Sequence, residues 1–125
     1  TYDTMQRELA VNALFGKYQA RTCELFEALG HPTIAKDPTT EQGYVHSLGH
    51  GIGLRVHEMP WSSTLNTSPL NILAPGTTFT LEPGLYYPEQ GMGVRIEDSY
   101  VTNSDGTFEI LADFPKDLVL PVKMG

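Results

Sequence analysis

The sequence contains a single cysteine among its 125 residues, so it can form no internal disulfide. Such sparse cysteine usage is typical of a reducing compartment, and we expect a cytoplasmic protein. Cys23 falls within a helical pattern, where we expect a buried structural thiol rather than a nucleophile. The apolar content of 40% and charged content of 18% are ordinary for a globular protein, and the length predicts one domain, residues 1–125.

Basic residues and long apolar runs are also scarce. Eight Lys and Arg are scattered along the chain against fifteen Asp and Glu, for a net charge of −7. Because phosphate binding needs concentrated positive charge, we expect no nucleic-acid partner. No apolar run approaches the about 18–20 residues of a membrane span, so we expect no membrane partner. The chain begins without methionine or a signal pattern, and we expect a piece of a longer protein.

The first part of the chain has a helical pattern. Apolar residues recur at three- and four-residue spacing over residues 4–29, which predicts either two helices or one helix with a defect at Gly16. Gly30 is suited to cap the helix at its C-terminus, and Pro32 prevents its continuation. His31 is expected to interact with the last turn of this helix. A loop rich in turn-forming residues follows and extends to position 43.

The rest of the chain has strand patterns separated by turns. Alternating or β-branched segments predict strands at residues 52–57, 77–81, 85–87, 94–101 and 107–111. We expect Met59–Pro60 to end the first of these, residues 61–69 to form a loop, and residues 114–122 to form a tail. Helices followed by strands predict an α+β fold, an antiparallel sheet with helices on one face.

The histidines are unevenly distributed. Three of the four lie between positions 46 and 57, interleaved with glycines, in the order His46, Gly49, His50, Gly51, Gly53, His57. Imidazole is costly to bury without a partner, and glycine costs backbone entropy. The combination predicts a tightly bent backbone on which imidazoles converge, since imidazole is a frequent metal ligand and acid/base group. The alternative is a glycine-rich turn with hydrogen-bonded core histidines.

Two carboxylates stand out, Glu82 at the end of the predicted strand 77–81 and Glu97 within the predicted strand 94–101. Glu82 follows Leu81 directly, and Glu97 lies two residues after Arg95. The simple interpretation is that Glu97 forms an ion pair with Arg95 and that Glu82 is a solvated strand end. Together with an imidazole, however, two carboxylates on adjacent strands form a ligand set suited to Mn²⁺, Co²⁺, Fe²⁺ or Zn²⁺.

Two common motifs are excluded. The glycines of residues 49–53 are spaced wrongly for a dinucleotide-binding fingerprint and do not lead into a helix. His57-Glu58 is not the start of a zincin helix, since Trp61 occupies the position of the second histidine.

Three ordered motifs resemble one known family. They are His46-x-x-Gly-His50-Gly-x-Gly-x-x-x-His57-Glu58, then Leu81-Glu82-Pro-Gly84, then Gly93-Val-Arg95-Ile-Glu97-Asp98. In this order they resemble the creatinase/aminopeptidase P/prolidase group of pita-bread metallopeptidases, and among these the Xaa-Pro peptidases. The resemblance implies half of a pita-bread fold and hydrolysis of the bond between an N-terminal residue and a following proline, so the expected partner is a proline-containing peptide.

The resemblance also implies metal ligands. His50 matches a metal-ligating histidine, and Glu97 matches the carboxylate that bridges two metal ions. Glu82 matches a carboxylate ligand that also serves as general acid/base. The implied cofactors are two divalent ions, Mn, Co or Zn, in the complete enzyme.

Other matching positions are implied to bind substrate. His57 matches a catalytic histidine that hydrogen-bonds the substrate and the tetrahedral intermediate. His46 matches a catalytic-site histidine near the proline-binding side. Arg95 matches a residue that orients the substrate or supports Glu97.

The chain departs from the family in one respect. The family uses two further aspartate ligands upstream, and the candidates here are only Asp3 and Asp37, neither in a strand pattern. The chain thus resembles the C-terminal part of the catalytic domain. We expect that this part alone binds metal weakly, if at all, and has little or no activity. We also expect exposed apolar surface and either a homo-oligomer or a complex with the missing half.

The resemblance also leaves two other functions open. One is a pita-bread module that has lost catalysis and serves in binding or scaffolding. The other is a metal-free member of the same fold, as in creatine hydrolysis, where a histidine does the acid/base work. Retention of His50, Glu82 and Glu97 favours the metallopeptidase over both.

Overall fold

The computed structural model describes residues 1–112, 114–117 and 119, which form two helices followed by seven strands. The elements in chain order are α1 (Tyr2–Glu8), α2 (Gly16–Ala28), β1 (His50–Gly51), β2 (Glu58–Trp61), β3 (Thr78–Leu81), β4 (Gly84–Tyr87), a 3₁₀ turn (Pro88–Gln90), β5 (Met92–Arg95), β6 (Asp98–Thr102) and β7 (Phe108–Ile110). No helix among these residues has both the length and the apolar character needed to cross a bilayer.

The helical region is divided into two helices by residues 9–15. The break lies before Gly16, which begins α2 rather than interrupting a helix. Its backbone is paired elsewhere, because the Asn12 and Phe15 N–H groups donate to the carbonyl oxygens of Leu73 and Asn71 at 2.9 and 2.8 Å. Of the two predicted arrangements, two helices is therefore the correct one, and long-range pairing rather than glycine causes the break.

The end of α2 matches the prediction for Gly30. This residue has φ +86°, and its N–H donates to the Glu27 carbonyl while the His31 N–H donates to that of Phe26. These are the two bonds of a Schellman cap. The predicted interaction of His31 with the helix end is confirmed, because its N–H caps α2 and its ring lies edge-on to that of Phe26, with centroids 6.0 Å apart. Its Nδ1 also lies 2.5 Å from the Tyr87 hydroxyl on β4.

The strands form two separate antiparallel sheets. One has five strands in the order β2-β1-β3-β6-β7, and the other is the hairpin β4-β5. The predicted strand at 94–101 is wrong as a single element, because the chain passes from one sheet to the other at Ile96 and Glu97. Ile96 still donates to the carbonyl of Pro83, but Asp98 already pairs with Leu81 in the large sheet.

The predicted strand at residues 52–57 is also wrong. After Ile52 the chain bends through residues 53–57, and Leu54 and Val56 point into solvent with relative exposures of 105% and 73%. Alternation alone cannot make a strand when no neighbouring strand accepts its hydrogen bonds. Met59–Pro60, predicted to end a strand, lies inside β2.

The other strand predictions hold with small changes of boundary. Residues 77–81 contain β3, residues 85–87 lie within β4, and residues 107–111 contain β7. The predicted loop is observed from Ser62 onward, since Trp61 ends β2. In the predicted tail, residues 114–117 and 119 form neither helix nor strand, and the remaining tail positions lie outside the described residues.

The core lies between the helices and one face of the large sheet. Phe79 of β3 packs edge-on against Phe15, with ring centroids 5.3 Å apart, and stacks on Tyr100 of β6. Leu81 joins the same cluster. Successive strand residues point to opposite faces, so Thr80 and, beyond the strand end, Glu82 project away from the helices. The predicted α+β class with helices on one face is confirmed.

A smaller core cluster lies at the C-terminal half of α2. It contains Cys23, Phe26 and Tyr44, with Leu85 of β4 packed against it. Burial raises the pKa of the Cys23 thiol, as the prediction of an unreactive core cysteine requires.

Candidate metal centre

The three predicted ligands converge at the ends of the three inner strands of the large sheet. His50 begins β1, Glu82 follows β3, and Glu97 precedes β6. One ligand atom from each lies within 4.8 Å of the others. Because β3 is the neighbour of both β1 and β6, the pairing of Leu81 with Asp98 brings the two flanking carboxylates side by side. The predicted convergence of one imidazole and two carboxylates is thus observed.

The glycines beside His50 allow this close approach. A Cβ on Gly49 would lie 1.9 Å from the carbonyl oxygen of Thr80, and one on Gly51 would lie 2.1 Å from that of Met59. Real Cβ atoms do not come so near to backbone oxygens, so any side chain at either position would force the strands apart. The interleaving of glycine and histidine in the sequence therefore has a steric cause.

The contacts of His50 and Glu82 fit a cation site. Both residues are 7% exposed, and His50 Nε2 lies 3.2 Å from Glu82 Oε1. His50 Nδ1 lies 3.0 Å from the carbonyl oxygen of Gly51, which can only accept a hydrogen bond. A hydrogen bond from Nδ1 to this oxygen leaves Nε2, the ring atom that faces Glu82, as the nitrogen that can bind a metal ion. Two electron-pair donors facing a common point match the requirements of a divalent cation.

The simple interpretation of the two carboxylates is wrong. Glu82 is a buried residue and not a solvated strand end. Within the described part of the chain, the acidic partner of Arg95 is Glu82 rather than Glu97, with Arg95 Nη1 3.5 Å from Glu82 Oε2. β5 ends at Arg95, so the two-residue alternation does not continue to Glu97.

His57 lies beside the three converging residues. Its ring centroid is 4.2 Å from that of His50, and its side chain is exposed at the end of the 53–57 bend. The ring of Trp61 approaches His50 from β2, with centroids 6.5 Å apart. Because the His57 imidazole is exposed and close to His50, it can reach a molecule that binds to the three converging residues.

His46 lies in an aromatic environment. Its ring contacts those of Tyr44 and Tyr86 edge-on, with centroids 5.3 and 5.5 Å away, and Nδ1 lies 2.7 Å from the Ser47 carbonyl oxygen. Burial lowers the pKa of His46 and favours its neutral form. Its Nε2 atom is buried without a hydrogen-bond partner among the described residues. The Arg95 guanidinium lies over the ring of Tyr86, with its Cζ 5.7 Å from the ring centroid. Tyr86 therefore contacts both His46 and the arginine that pairs with Glu82.

The sequence interpretation missed three residues that support the site, namely Thr80, Tyr86 and Gln19. Thr80 had a detectable signal, because strand alternation puts it on the same face as Glu82. Tyr86 and Gln19 had none, since their neighbours come from distant parts of the chain.

The two aspartates considered as further ligands are not part of the metal-suited cluster of the described residues. Asp3 belongs to α1. Asp37 accepts hydrogen bonds from the hydroxyl and N–H of Thr39, and these bonds lower the pKa of its carboxyl group. Neither belongs to the cluster of His50, Glu82 and Glu97, which is the metal-suited group found among the described residues.

Comparison with known proteins finds relatives in sequence and in fold. The chain is 44% identical over 95 residues to the Xaa-Pro dipeptidase of Lactobacillus delbrueckii subsp. lactis, covering 72% of this chain and 24% of that protein. Prolidase from Thermococcus sibiricus superposes with a TM-score of 0.72 at 29% identity, covering 93% of this chain and 28% of that one. Zinc-substituted aminopeptidase P of E. coli, in complex with product, gives a TM-score of 0.55 at 28% identity, covering 87% and 28%.

The chain spans about a quarter of the length of these proteins, so it corresponds to part of their catalytic domain. Their α+β pita-bread architecture matches the helices and antiparallel sheets described above. Residues 5–104 match the model of metallopeptidase family M24, and this region includes every residue of the candidate centre. The chain therefore belongs to metallopeptidase family M24.

Proposed function

We propose that the protein is a metal-dependent peptidase that hydrolyses the bond between an N-terminal residue and a following proline. The observation that supports this most directly is the convergence of His50, Glu82 and Glu97 within 4.8 Å. The match to Xaa-Pro dipeptidases adds the substrate class. A catalytically inactive binding module would have no need to keep all three ligands, so this alternative has less support.

In this proposal His50, Glu82 and Glu97 hold divalent cations, with Mn²⁺ as the first candidate and Co²⁺ or Zn²⁺ as others. Carboxylate oxygens and one imidazole nitrogen suit any of these ions. When bound, such ions supply Lewis-acid activation of a water molecule and of the peptide carbonyl group.

The side chains of this chain then have distinct roles. Glu82 exchanges a proton with the attacking water and the leaving amine, and Arg95, 3.5 Å away, balances its charge. His57 is exposed and close to His50, so it donates a hydrogen bond to the peptide carbonyl as negative charge develops there. His46 lines the aromatic side of the site with Tyr86, an apolar environment suited to the proline ring.

We further propose that residues 1–125 form the C-terminal part of the catalytic domain. A dinuclear centre needs about two more acidic ligands than this cluster supplies, and the chain spans 24% of a relative's length. The remaining ligands would come from another part of the protein. Because each carboxylate offsets cation charge, this chain alone should bind metal weakly and show little or no activity.

The test is hydrolysis of a Xaa-Pro dipeptide, with added Mn²⁺, by the full-length protein that contains residues 1–125. A Xaa-Ala dipeptide with the same first residue is the matched substrate control, and Glu97→Gln, which keeps the shape but removes the charge, is the matched variant. We expect Xaa-Pro hydrolysis that Glu97→Gln abolishes. Equal rates on both dipeptides would contradict the substrate assignment, and full activity of Glu97→Gln would contradict the metal assignment.

We also propose that the exposed apolar surface of the β4-β5 hairpin is covered by a second copy of the chain or by the rest of the protein. We further propose that the protein is cytoplasmic. Met92 and Val94 of β5 have relative exposures of 57% and 43%, an apolar area at the outer hairpin. Light scattering of the isolated chain should detect association that weakens when both residues are changed to serine. A monomer at high concentration would contradict this proposal.

A further inference from the structure

We propose that the Thr80 hydroxyl is a positioning group that holds the two buried ligands, His50 and Glu82, in one fixed arrangement. This inference rests on the proposed function, since it assigns a role at the same site. Thr80 is 1% exposed and lies in the middle of β3, two residues before Glu82.

The hydrogen bonds of this hydroxyl define its role. Its oxygen accepts the backbone N–H of His50 at 3.1 Å, and its single proton has two acceptors within reach. Glu82 Oε1 lies at 3.0 Å and the His50 carbonyl oxygen at 3.5 Å. A carboxylate is the stronger acceptor and here also the nearer one, so the proton is donated to Glu82. One group thus connects the main chain of one ligand to the side chain of the other.

This connection restricts rotation of the Glu82 carboxylate. Oε1 is held by the Thr80 hydroxyl from inside the sheet, and Oε2 faces Arg95 at 3.5 Å. The Arg95 side chain is 41% exposed, so its long ion pair is a weak restraint, whereas the hydroxyl is sheltered from water. The hydroxyl is therefore the main restraint on the orientation of the carboxylate that faces His50.

Removing the hydroxyl while keeping its shape tests this role. Thr80→Val should weaken Mn²⁺ binding by about 10–100-fold, the usual effect of losing a partner of a metal ligand. Thr80→Ser, which keeps the hydroxyl, should bind Mn²⁺ within a few-fold of the unaltered protein. Isothermal titration calorimetry with Mn²⁺ on the whole protein measures both, and kcat and KM for a Xaa-Pro dipeptide are recorded alongside.

Thr102 provides a matched control on β6. It is also 1% exposed, and its hydroxyl has no hydrogen-bond partner within the part of the chain that the structure describes. Thr102→Val removes the same atom from the same sheet without touching a ligand. We expect it to leave Mn²⁺ affinity, kcat and KM unchanged.

A second comparison covers the case in which Thr80→Val does not fold. Thr80→Ser and Thr80→Ala differ from each other only in the hydroxyl, so the serine variant should bind Mn²⁺ about 10–100-fold more tightly than the alanine variant.

The outcomes separate the two proposals. If Thr80→Val binds Mn²⁺ as tightly as Thr102→Val, the positioning role of Thr80 is overturned and the peptidase assignment stands. If the unaltered full-length protein binds no Mn²⁺ and hydrolyses no Xaa-Pro dipeptide, both proposals are overturned together.

Discussion

Replacing Gln19 by leucine should destabilise the protein strongly, because this buried amide group connects α2 to the segment before β1. Gln19 Oε1 accepts hydrogen bonds from the Leu48 N–H at 2.6 Å and from the Tyr44 hydroxyl at 2.9 Å. Its Nε2 donates to the His46 carbonyl oxygen at 3.2 Å. Gln19 is 2% exposed, so water cannot take over these bonds when the amide is lost.

The magnitude follows from the groups left behind. Each buried polar group that loses its partner costs about 1–3 kcal/mol, and three groups lose one here. The leucine side chain recovers about 1.5–3 kcal/mol through its own burial. At the middle of these ranges the free energy of unfolding should fall by about 4 kcal/mol, a large share of the about 5–15 kcal/mol of an ordinary domain. With a urea m-value of about 2 kcal/mol per molar, the unfolding midpoint should fall by about 2 M.

Urea unfolding followed by circular dichroism measures this change. Gln6→Leu is the matched control, because Gln6 also lies on a helix but is exposed. Its midpoint should stay close to that of the unaltered protein. If Gln19→Leu unfolds at the same urea concentration as Gln6→Leu, the reasoning from the three hydrogen bonds is refuted.

Three further predictions concern the site and the core. Gly49→Ala should lower the free energy of unfolding by about 1–3 kcal/mol or more and weaken Mn²⁺ binding, because the added methyl group would lie 1.9 Å from the Thr80 carbonyl oxygen. Thermal unfolding measures the first effect and calorimetry the second. An unchanged melting temperature would refute the steric argument. Chelation with EDTA should abolish Xaa-Pro hydrolysis and added Mn²⁺ should restore it, so activity that persists without metal would contradict the proposed chemistry. Stability should decrease above about pH 10, because burial raises the pKa of Tyr2, Tyr44 and Tyr100. Below that pH both states keep these protons; above it the unfolded state loses protons that the folded state retains, so stability falls by up to about 1.4 kcal/mol per pH unit for each tyrosine. Urea unfolding between about pH 8 and 11 measures how steeply the free energy of unfolding falls with pH. Tyr44→Phe should make this fall less steep. If the tyrosines ionised as easily in the folded protein as in the unfolded chain, no fall would be observed.

Much of the candidate site could be predicted because its signals are local. A charged residue at the end of an apolar strand is unusual, and histidine alternating with glycine has few structural explanations, so the chemistry of His50 and Glu82 was visible in short motifs. Glu97, which is exposed in the structure, was identified from its place after Arg95 in the third motif. The same holds for the cap at Gly30, whose left-handed backbone follows from a residue without Cβ.

The errors occur where distant parts of the chain decide the structure. The alternation of residues 52–57 resembled a strand, but Leu54 and Val56 have no core to face. The run at 94–101 is continuous in sequence and divided in space, because its first half pairs with β4 and its second half with β3. Neither partner can be identified from the run itself.

The residue types settle which groups are available for chemistry, since a side chain's ability to bind a cation or a proton is a property of the side chain. They do not settle which groups meet. Glu82 and Glu97 are brought together by the pairing of Leu81 with Asp98, and Thr80 meets His50 because Gly49 lets two strands approach. Such contacts depend on sheet register and on space between strands, which exist only after residues far apart in the chain have packed together.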